Sequence, residues 1–127
     1  TWNDNGIIQQ AIRFIKKNYP GKEKEMFEDL TFIPHRNSRN AISAKRKFDN
    51  GCFISVVTGE GLYGDLDATE FYDSTFEVAV FDANGDFIRL TPHDDVIGHQ
   101  TTKEVSHIMT QLQTDPESLR VDEFTDY

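Results

Sequence analysis

The sequence predicts an α+β domain: an antiparallel sheet of four to five strands, built from two hairpins, with an N-terminal and a C-terminal helix packed on it. Two observations lead to this prediction. Apolar runs flank the pairs Asn50-Gly51 and Asn84-Gly85, and Asn-Gly favours hairpin turns because both residues tolerate positive φ. Amphipathic helical patterns lie before the first hairpin and after the second. A small bent β-barrel with an N-terminal helix is the alternative architecture.

The N-terminal helix is predicted from apolar residues at helical spacing. One side of it carries four apolar residues, namely Ile8, Ile12, Ile15 and Tyr19. The opposite side is polar and basic, as a surface helix requires. Pro20 and Gly21 then end the helix, since neither residue continues it. A further short helical segment is predicted near residues 22–30, and a loop at residues 35–40.

The two hairpins supply most of the predicted sheet. The first comprises strands at residues 41–48 and 52–57. The second comprises strands at 75–81 and 86–90, joined by a three-residue loop with Gly85 in the left-handed conformation. That loop length places five apolar residues on one face: Phe76, Val78, Val80, Ile88 and Leu90. Residues 52–57 are apolar on both faces, which indicates a central strand covered on both sides.

A short strand near residues 95–98 leads to the C-terminal helix. Thr101 and Glu104 form a capping box, in which each side chain accepts a hydrogen bond from the other residue's backbone amide. The helix then carries an apolar stripe of Val105, Ile108, Met109 and Leu112. We therefore expect one domain at residues 1–114, followed by an acidic tail at residues 115–127.

Charge is divided unevenly along the chain. The formal net charge is −9, with +4 in residues 1–50 and −13 in residues 51–127. Such asymmetry can steer charged partners. No apolar run is long enough to span a bilayer, and Cys52 is the only cysteine. We therefore expect no membrane association and a reducing, cytoplasmic compartment.

Two motifs resemble ligand-binding loops but fail in their context. Gly59, Gly61 and Gly64 match the glycine spacing of a dinucleotide-binding turn. That turn opens a crossover helix, and only ten residues separate Gly64 from the second hairpin. Residues 82–86 imitate the start of a calcium loop, but Phe87 occupies the position that requires glycine. The sequence therefore predicts no cofactor.

A group of histidines and aspartates could be written as a metal cluster. Its members are His93, Asp94, Asp95 and His99. Their spacing matches no recognised zinc pattern, and two aspartates after Pro92 are typical of a turn. A small metal-dependent enzyme is one functional hypothesis for this group, but the sequence assigns no catalytic or metal-binding residue to it.

The acidic loop at residues 58–74 is the most informative irregular stretch. Loops of this length inside a compact domain are uncommon and often functional. It combines carboxylates with aromatic residues, so it either docks a basic partner or folds over the sheet and buries its aromatics. The residues assigned to partner binding are Glu60, Tyr63, Asp65, Asp67 and Tyr72.

A run of basic residues precedes and enters the first hairpin. The members assigned to nucleic-acid binding are Arg36, Arg39, Lys45, Arg46 and Lys47. Clustered on one face, they would bind phosphates. Against this stand the negative net charge and the lack of aromatic residues between the basic ones. Alternating charge also protects an exposed strand from edge pairing.

Residues 76–81 (Phe-Glu-Val-Ala-Val-Phe) and 94–101 (Asp-Asp-Val-Ile-Gly-His-Gln-Thr) carry a resemblance to known sequences. The stretch from residue 53 to residue 112 that contains them resembles small uncharacterised proteins of tailed phages. Such proteins often bind host or phage macromolecules, and the resemblance implies no functional residue. We therefore expect a phage-derived, non-enzymatic accessory or regulatory binding protein with a protein partner. The second hypothesis is a nucleic-acid-binding domain that uses the basic N-terminal half.

Overall fold

The structure, a computed structural model, describes residues 24–36, 40–67 and 69–121. Within these residues lie six strands: β1 (Ile33–Pro34), β2 (Ala41–Lys47), β3 (Phe53–Gly59), β4 (Phe76–Phe81), β5 (Phe87–Ile88) and β6 (Val96–Gln100). The helix α1 spans Thr102–Thr114. Short 3-10 helices span Phe27–Asp29, Phe71–Asp73 and Pro116–Leu119.

All six strands belong to one antiparallel sheet. Its order is β1-β2-β3-β4-β5, and β6 pairs with β4 along the same edge as β5. Strand β3 lies in the centre, as its apolar sequence predicts. The α+β class is confirmed, and the described strands form an open sheet rather than the alternative barrel.

Both predicted hairpins are present. Gly51 and Gly85 adopt positive φ angles of 88° and 87°, as the two turns require. In the second turn the Asp82 amide donates to the Asp86 carbonyl at 2.9 Å, which closes the predicted three-residue loop. The Asp82 carboxylate also accepts hydrogen bonds from backbone amides of this turn. Side-chain chemistry therefore reinforces the register that the turn sets.

The core lies between one face of the sheet and helix α1. The apolar set predicted to share a face is buried: Phe76, Val78, Val80, Ile88 and Leu90. The helix contributes the predicted stripe of Val105, Ile108, Met109 and Leu112. Full burial of an apolar side chain of this size contributes about 1.5–3 kcal/mol, so this contact fixes the helix on the sheet.

Helix α1 begins at the predicted capping box. The Thr101 hydroxyl accepts from the Glu104 amide at 3.2 Å, and the Glu104 carboxylate accepts from the Thr101 amide at 3.0 Å. Two amides that the helix itself leaves without partners are thereby satisfied.

The structure adds elements that the sequence does not signal. Strand β1 has only two residues and both are exposed, so it leaves no alternating pattern. Of the segment predicted to be helical near residues 22–30, the described residues 24–30 contain only the single turn Phe27–Asp29. Residues 115–121, predicted as tail, contact the domain: Leu119 packs on the core, and the Val121 amide donates to the Arg89 carbonyl.

The predicted N-terminal helix lies outside the described residues. One α-helix on the sheet is therefore established, and the second remains a prediction.

Candidate functional site

The sheet face turned away from helix α1 is the candidate site. Residues directly opposite one another in antiparallel strands point to the same face, and this face carries three cross-strand rows. The first row is Ile33, Ser43, Val57 and Glu77; the second is Lys45, Ser55, Ala79 and Val96; the third is Lys47, Phe53, Phe81 and Phe87. We call these residues the open face.

The open face is covered less than the core face. On β3, Ile54 and Val56 of the core face are fully buried, whereas Phe53 and Val57 of the open face are half-buried. In residues 24–36, 40–67 and 69–121, helix α1 and the 3-10 helices pack against the core, and no helix lies over the open face. The predicted coverage of β3 on both sides is therefore observed on one side only in this part of the chain.

A groove of about 950 Å³ runs over the first two rows. It is lined by Ser43, Ser55 and Ala79 from the sheet, by Arg36 after β1 and by Leu62 after β3. A concave surface that mixes apolar walls with a few polar groups is the usual form of a ligand site.

The third row contains a column of stacked phenylalanine rings. Phe53 and Phe81 have ring centroids 4.4 Å apart and planes inclined by 11°. Phe81 and Phe87 follow at 4.5 Å and 39°. Phe87 remains 46% exposed although its side chain is a large hydrophobe. The column therefore presents aromatic surface to solvent on the face that the described residues leave open.

The structure separates the basic residues that the sequence groups together. Lys45 and Lys47 are exposed and share the open face, and Arg36 lies at the groove. Arg46 alternates to the opposite face, where its guanidinium donates to the Glu25 carboxylate and forms an ion pair. That hydrogen bond is the main cause that raises the pKa of Arg46.

Arg39, the remaining member of the basic set, lies outside the described residues. The described patch therefore consists of two lysines and one arginine, not of a continuous basic strand.

The acidic loop is held in place by hydrogen bonds to its own ends. The Asp65 amide donates to the Thr75 hydroxyl at 3.0 Å, and the Asp67 amide donates to the Ser74 hydroxyl at 2.7 Å. The Asp67 carboxylate accepts from the amides of Glu70 and Thr69 and from the Thr69 hydroxyl, which together lower its pKa. Asp67 therefore has a structural role inside the loop.

The aromatic residues of this loop divide between core and solvent. Phe71 packs against the core, whereas Tyr63 and Tyr72 are 62% and 60% exposed. Tyr63 lies against Gly98 of β6, and the Tyr72 ring contacts Phe27. The two exposed tyrosines are thus anchored to different elements.

Glu60 and Asp65, the other acidic residues assigned to partner binding, are exposed. Glu60 also accepts a hydrogen bond from the Asn40 side chain at 3.2 Å.

The glycine motif serves the packing of this loop. A Cβ atom on Gly64 would lie 2.6 Å from the Thr75 carbonyl oxygen and 2.9 Å from the Phe76 Cα. Only glycine permits such a close approach of two backbone segments. No helix follows Gly64 within the described residues up to the turn Phe71–Asp73, so the arrangement of a dinucleotide site does not form there.

The histidine and aspartate group is organised as a turn. The Asp94 amide donates to the Thr91 hydroxyl at 2.9 Å, and the Asp94 carboxylate accepts from the Asp95 amide at 2.7 Å. Among the residues that the structure describes, no three His, Cys, Asp or Glu side chains are placed to hold a metal ion.

Sequence reasoning missed the phenylalanine column. The signal that could have revealed it is a shared spacing around the two turns. Lys47 and Phe53 are paired across the first hairpin, and Phe81 and Phe87 are paired across the second. Since β3 and β4 are neighbours with Phe53 opposite Phe81, these pairs form one row. The register between the hairpins, which a single sequence does not reveal, creates the site.

Comparison with known proteins gives no match: no protein-family model, no curated protein and no solved structure is similar to this chain. The class of protein is therefore set by the structure alone, as an α+β domain with an aromatic and basic open sheet face. None of the described helices is both long enough and apolar enough to cross a membrane.

Proposed function

We propose that this chain is a non-enzymatic binding protein and that its ligand is nucleic acid, held on the open face of the sheet. The observation that carries the proposal is the third row, in which Lys47 lies beside three phenylalanines whose rings are in contact, Phe53 and Phe81 stacked and Phe87 tilted against Phe81. Nucleic acids offer bases that stack on aromatic rings and phosphates that attract cations. An exposed sheet surface that carries aromatic rings and cations can bind both the bases and the phosphates of such a ligand.

The charges of the open face support this choice of ligand. The whole chain carries a formal net charge of −9, yet the three rows contain Lys45 and Lys47 against the single acid Glu77. Arg36 adds a further cation at the groove. Positive charge is therefore gathered on this face of an acidic protein, and it would hold phosphates at contact distance.

Two contacting lysines imply a modest salt dependence. For single strands the logarithm of the binding constant falls with the logarithm of salt concentration by about 0.7 per phosphate contacted, so two contacts give a slope of about −1.4. The acidic remainder of the protein repels a polyanion at long range. We therefore expect moderate affinity.

The test is fluorescence anisotropy of a labelled oligonucleotide between about 50 and 200 mM salt. The wild type should bind, and the double variant Lys45→Gln with Lys47→Gln should lose most of both the affinity and the salt slope. Lys103→Gln is the matched control, because Lys103 is exposed on helix α1. Absence of binding at the lowest salt, or equal loss in the control, would overturn the proposal.

A protein partner at the acidic loop is the second candidate. The observation in its favour is that Tyr63 and Tyr72 remain mostly exposed in a loop fixed by hydrogen bonds. Tyrosines held rigidly at a surface are frequent anchors of protein interfaces. The test is an affinity pull-down from a cell lysate with this protein as the bait. The double variant Tyr63→Ser with Tyr72→Ser should lose a specific protein that the wild type retains, whereas Phe87→Ser should still retain it.

Three sequence-based expectations remain part of the proposal. The N-terminal amphipathic segment packs as a second helix on the side of the sheet that carries helix α1, since its apolar stripe needs a partner and the open face is left to the ligand. The protein is of phage origin, as the resemblance over residues 53–112 implies. Its compartment is the cytoplasm, which a single thiol suits.

A further inference from the structure

We infer that the nucleic acid taken by the open face is single-stranded, and that one base stacks on the Phe53 end of the phenylalanine column. This inference rests on the proposed function and adds the class of nucleic acid and the place of the base.

Both faces of the middle ring, Phe81, are already in contact with another ring. Phe81 stacks with Phe53 at 4.4 Å on one side and packs against Phe87, tilted by 39°, at 4.5 Å on the other. In the described residues, the ring contacts of Phe53 and Phe87 are with Phe81 alone. A planar ligand therefore extends the column at an end, either at Phe53, beside the exposed Lys47 side chain, or at Phe87.

This geometry favours single strands over duplexes. Inside a duplex both faces of every base are already stacked on neighbouring base pairs, and taking a base out costs a few kcal/mol. A base of a single strand is free to stack on an aromatic ring at much lower cost. The column therefore favours unpaired bases of a single strand over the stacked bases of a duplex.

The charges distinguish the two ends of the column. Lys47 lies directly opposite Phe53 on β2, and Lys45 follows it one row away. At the other end, the register partner of Phe87 is Phe81, and no lysine is paired with Phe87. A base carries its phosphates with it, so Lys47 attracts the nucleotide to the Phe53 end of the column.

The groove continues the same path. Successive rows are about 7 Å apart, because each step spans two strand residues. The two rows beyond the column contribute Lys45, Ser43 and Ser55 to the groove. Glu77 lies at the end of the first row and carries a negative charge, opposite to that of the lysines. The face therefore accommodates a short segment, on the order of four nucleotides.

The experiment compares oligothymidylate, an abasic oligonucleotide of the same length and a duplex, by anisotropy at one low salt concentration. Wild-type protein should bind oligothymidylate about tenfold more tightly than the abasic strand, the loss expected for one stacked base. Phe53→Leu should reduce the affinity for oligothymidylate to that of the abasic strand. Phe87→Leu, the matched variant at the other end, should weaken the binding of oligothymidylate clearly less than Phe53→Leu does.

The possible outcomes separate the inference from the proposed function. If oligothymidylate, abasic strand and duplex bind wild-type protein equally well, the inference is overturned while lysine-dependent phosphate binding stands. Equal weakening by Phe53→Leu and Phe87→Leu would overturn the assignment to the Phe53 end. If no nucleic acid binds, both proposals fail. The wild-type comparison of strands decides the matter even if Phe53→Leu does not fold.

Discussion

Phe53 and Phe81 stack across strands β3 and β4 on the open face, which is turned away from helix α1, with their ring centroids 4.4 Å apart. The core-facing neighbours Ile54 and Val80 are fully buried, so this aromatic pair is not needed to fill the core. Aromatic pairs of this kind contribute about 0.5–1.5 kcal/mol beyond the area they bury. The pair is therefore both a moderate source of sheet stability and the centre of the proposed binding face.

Removing the middle ring should destabilise the protein more than removing an end ring. We expect Phe81→Ala to lower the free energy of unfolding by about 1–3 kcal/mol, because it removes two ring contacts and partly buried area. Phe87→Ala should cost less, since Phe87 is 46% exposed and contacts one ring. Urea denaturation measures both values. A larger loss for Phe87→Ala would contradict the described stacking order.

The two faces of strand β2 should differ in nucleic-acid binding. Arg46 lies on the core side and is paired with Glu25, so Arg46→Gln should leave oligonucleotide affinity and salt slope unchanged. Lys47→Gln should weaken binding and reduce the slope by about 0.7. Both are measured by anisotropy. Weakening by Arg46→Gln equal to that by Lys47→Gln would show that charge alone, and not the face, determines binding.

The glycines of the loop after β3 should tolerate alanine to different degrees. Gly64→Ala places a Cβ atom 2.6 Å from the Thr75 carbonyl oxygen, so the backbone must shift and the cost should exceed about 2 kcal/mol. Gly61→Ala meets no atom within 4 Å, and its φ of +81° costs about 1–2 kcal/mol. Thermal or urea unfolding gives both values. A cost at Gly61 as large as at Gly64 would contradict the close packing under the loop.

The cap of helix α1 should contribute measurably to stability. Thr101→Ala removes the hydroxyl that accepts from the Glu104 amide, and the expected loss is about 1 kcal/mol. Thr101→Ser keeps the hydroxyl and should retain most of the stability. Urea denaturation of the two variants is the measurement, and equal loss in both would argue against the hydrogen bond as the cause.

The Asp67 carboxylate should make the stability of the loop depend on pH. Hydrogen bonds from Glu70 and Thr69 lower its pKa in the folded protein, whereas in the unfolded chain it titrates near about 3.9. Its stabilising contribution is therefore complete above the unfolded pKa, and it is lost as pH falls through the lower folded pKa. The stability difference between wild type and Asp67→Asn should shrink as pH is lowered through that window.

Thr69→Val is the control for this pH dependence, because it removes the hydroxyl that donates to the Asp67 carboxylate and leaves the carboxylate in place. The stability of this variant should vary less with pH than that of the wild type over the same range. A constant difference for Asp67→Asn would show that the hydrogen bonds to Asp67 do not favour its charged form.

Local patterns predicted the elements with strong signals. The turn at Asn84-Gly85, the capping box at Thr101 and the stripe of helix α1 are all set by residues close in sequence, and all three are confirmed. Strand β1 gave no signal because its two residues are exposed and pair with only two residues of β2. Short strands of this kind depend on tertiary pairing rather than on pattern.

The candidate site was harder to predict than the fold because it depends on register between distant strands. The basic residues were found from the sequence, but alternation along β2 sends Arg46 to the opposite face from Lys45 and Lys47. Phe53 and Phe81 are far apart in the chain and meet only when β3 pairs with β4. A one-residue change of that register would have placed the two rings on opposite faces of the sheet.

Binding of nucleic acid to the open face is tested by an NMR titration of the isotope-labelled protein with short oligothymidylate. We expect the largest amide shifts in β2 and β3 of the open face, at Lys45, Lys47, Phe53 and Ser55. Shifts concentrated in the loop at residues 59–67 or on helix α1, or no shifts at saturating oligonucleotide, would contradict it.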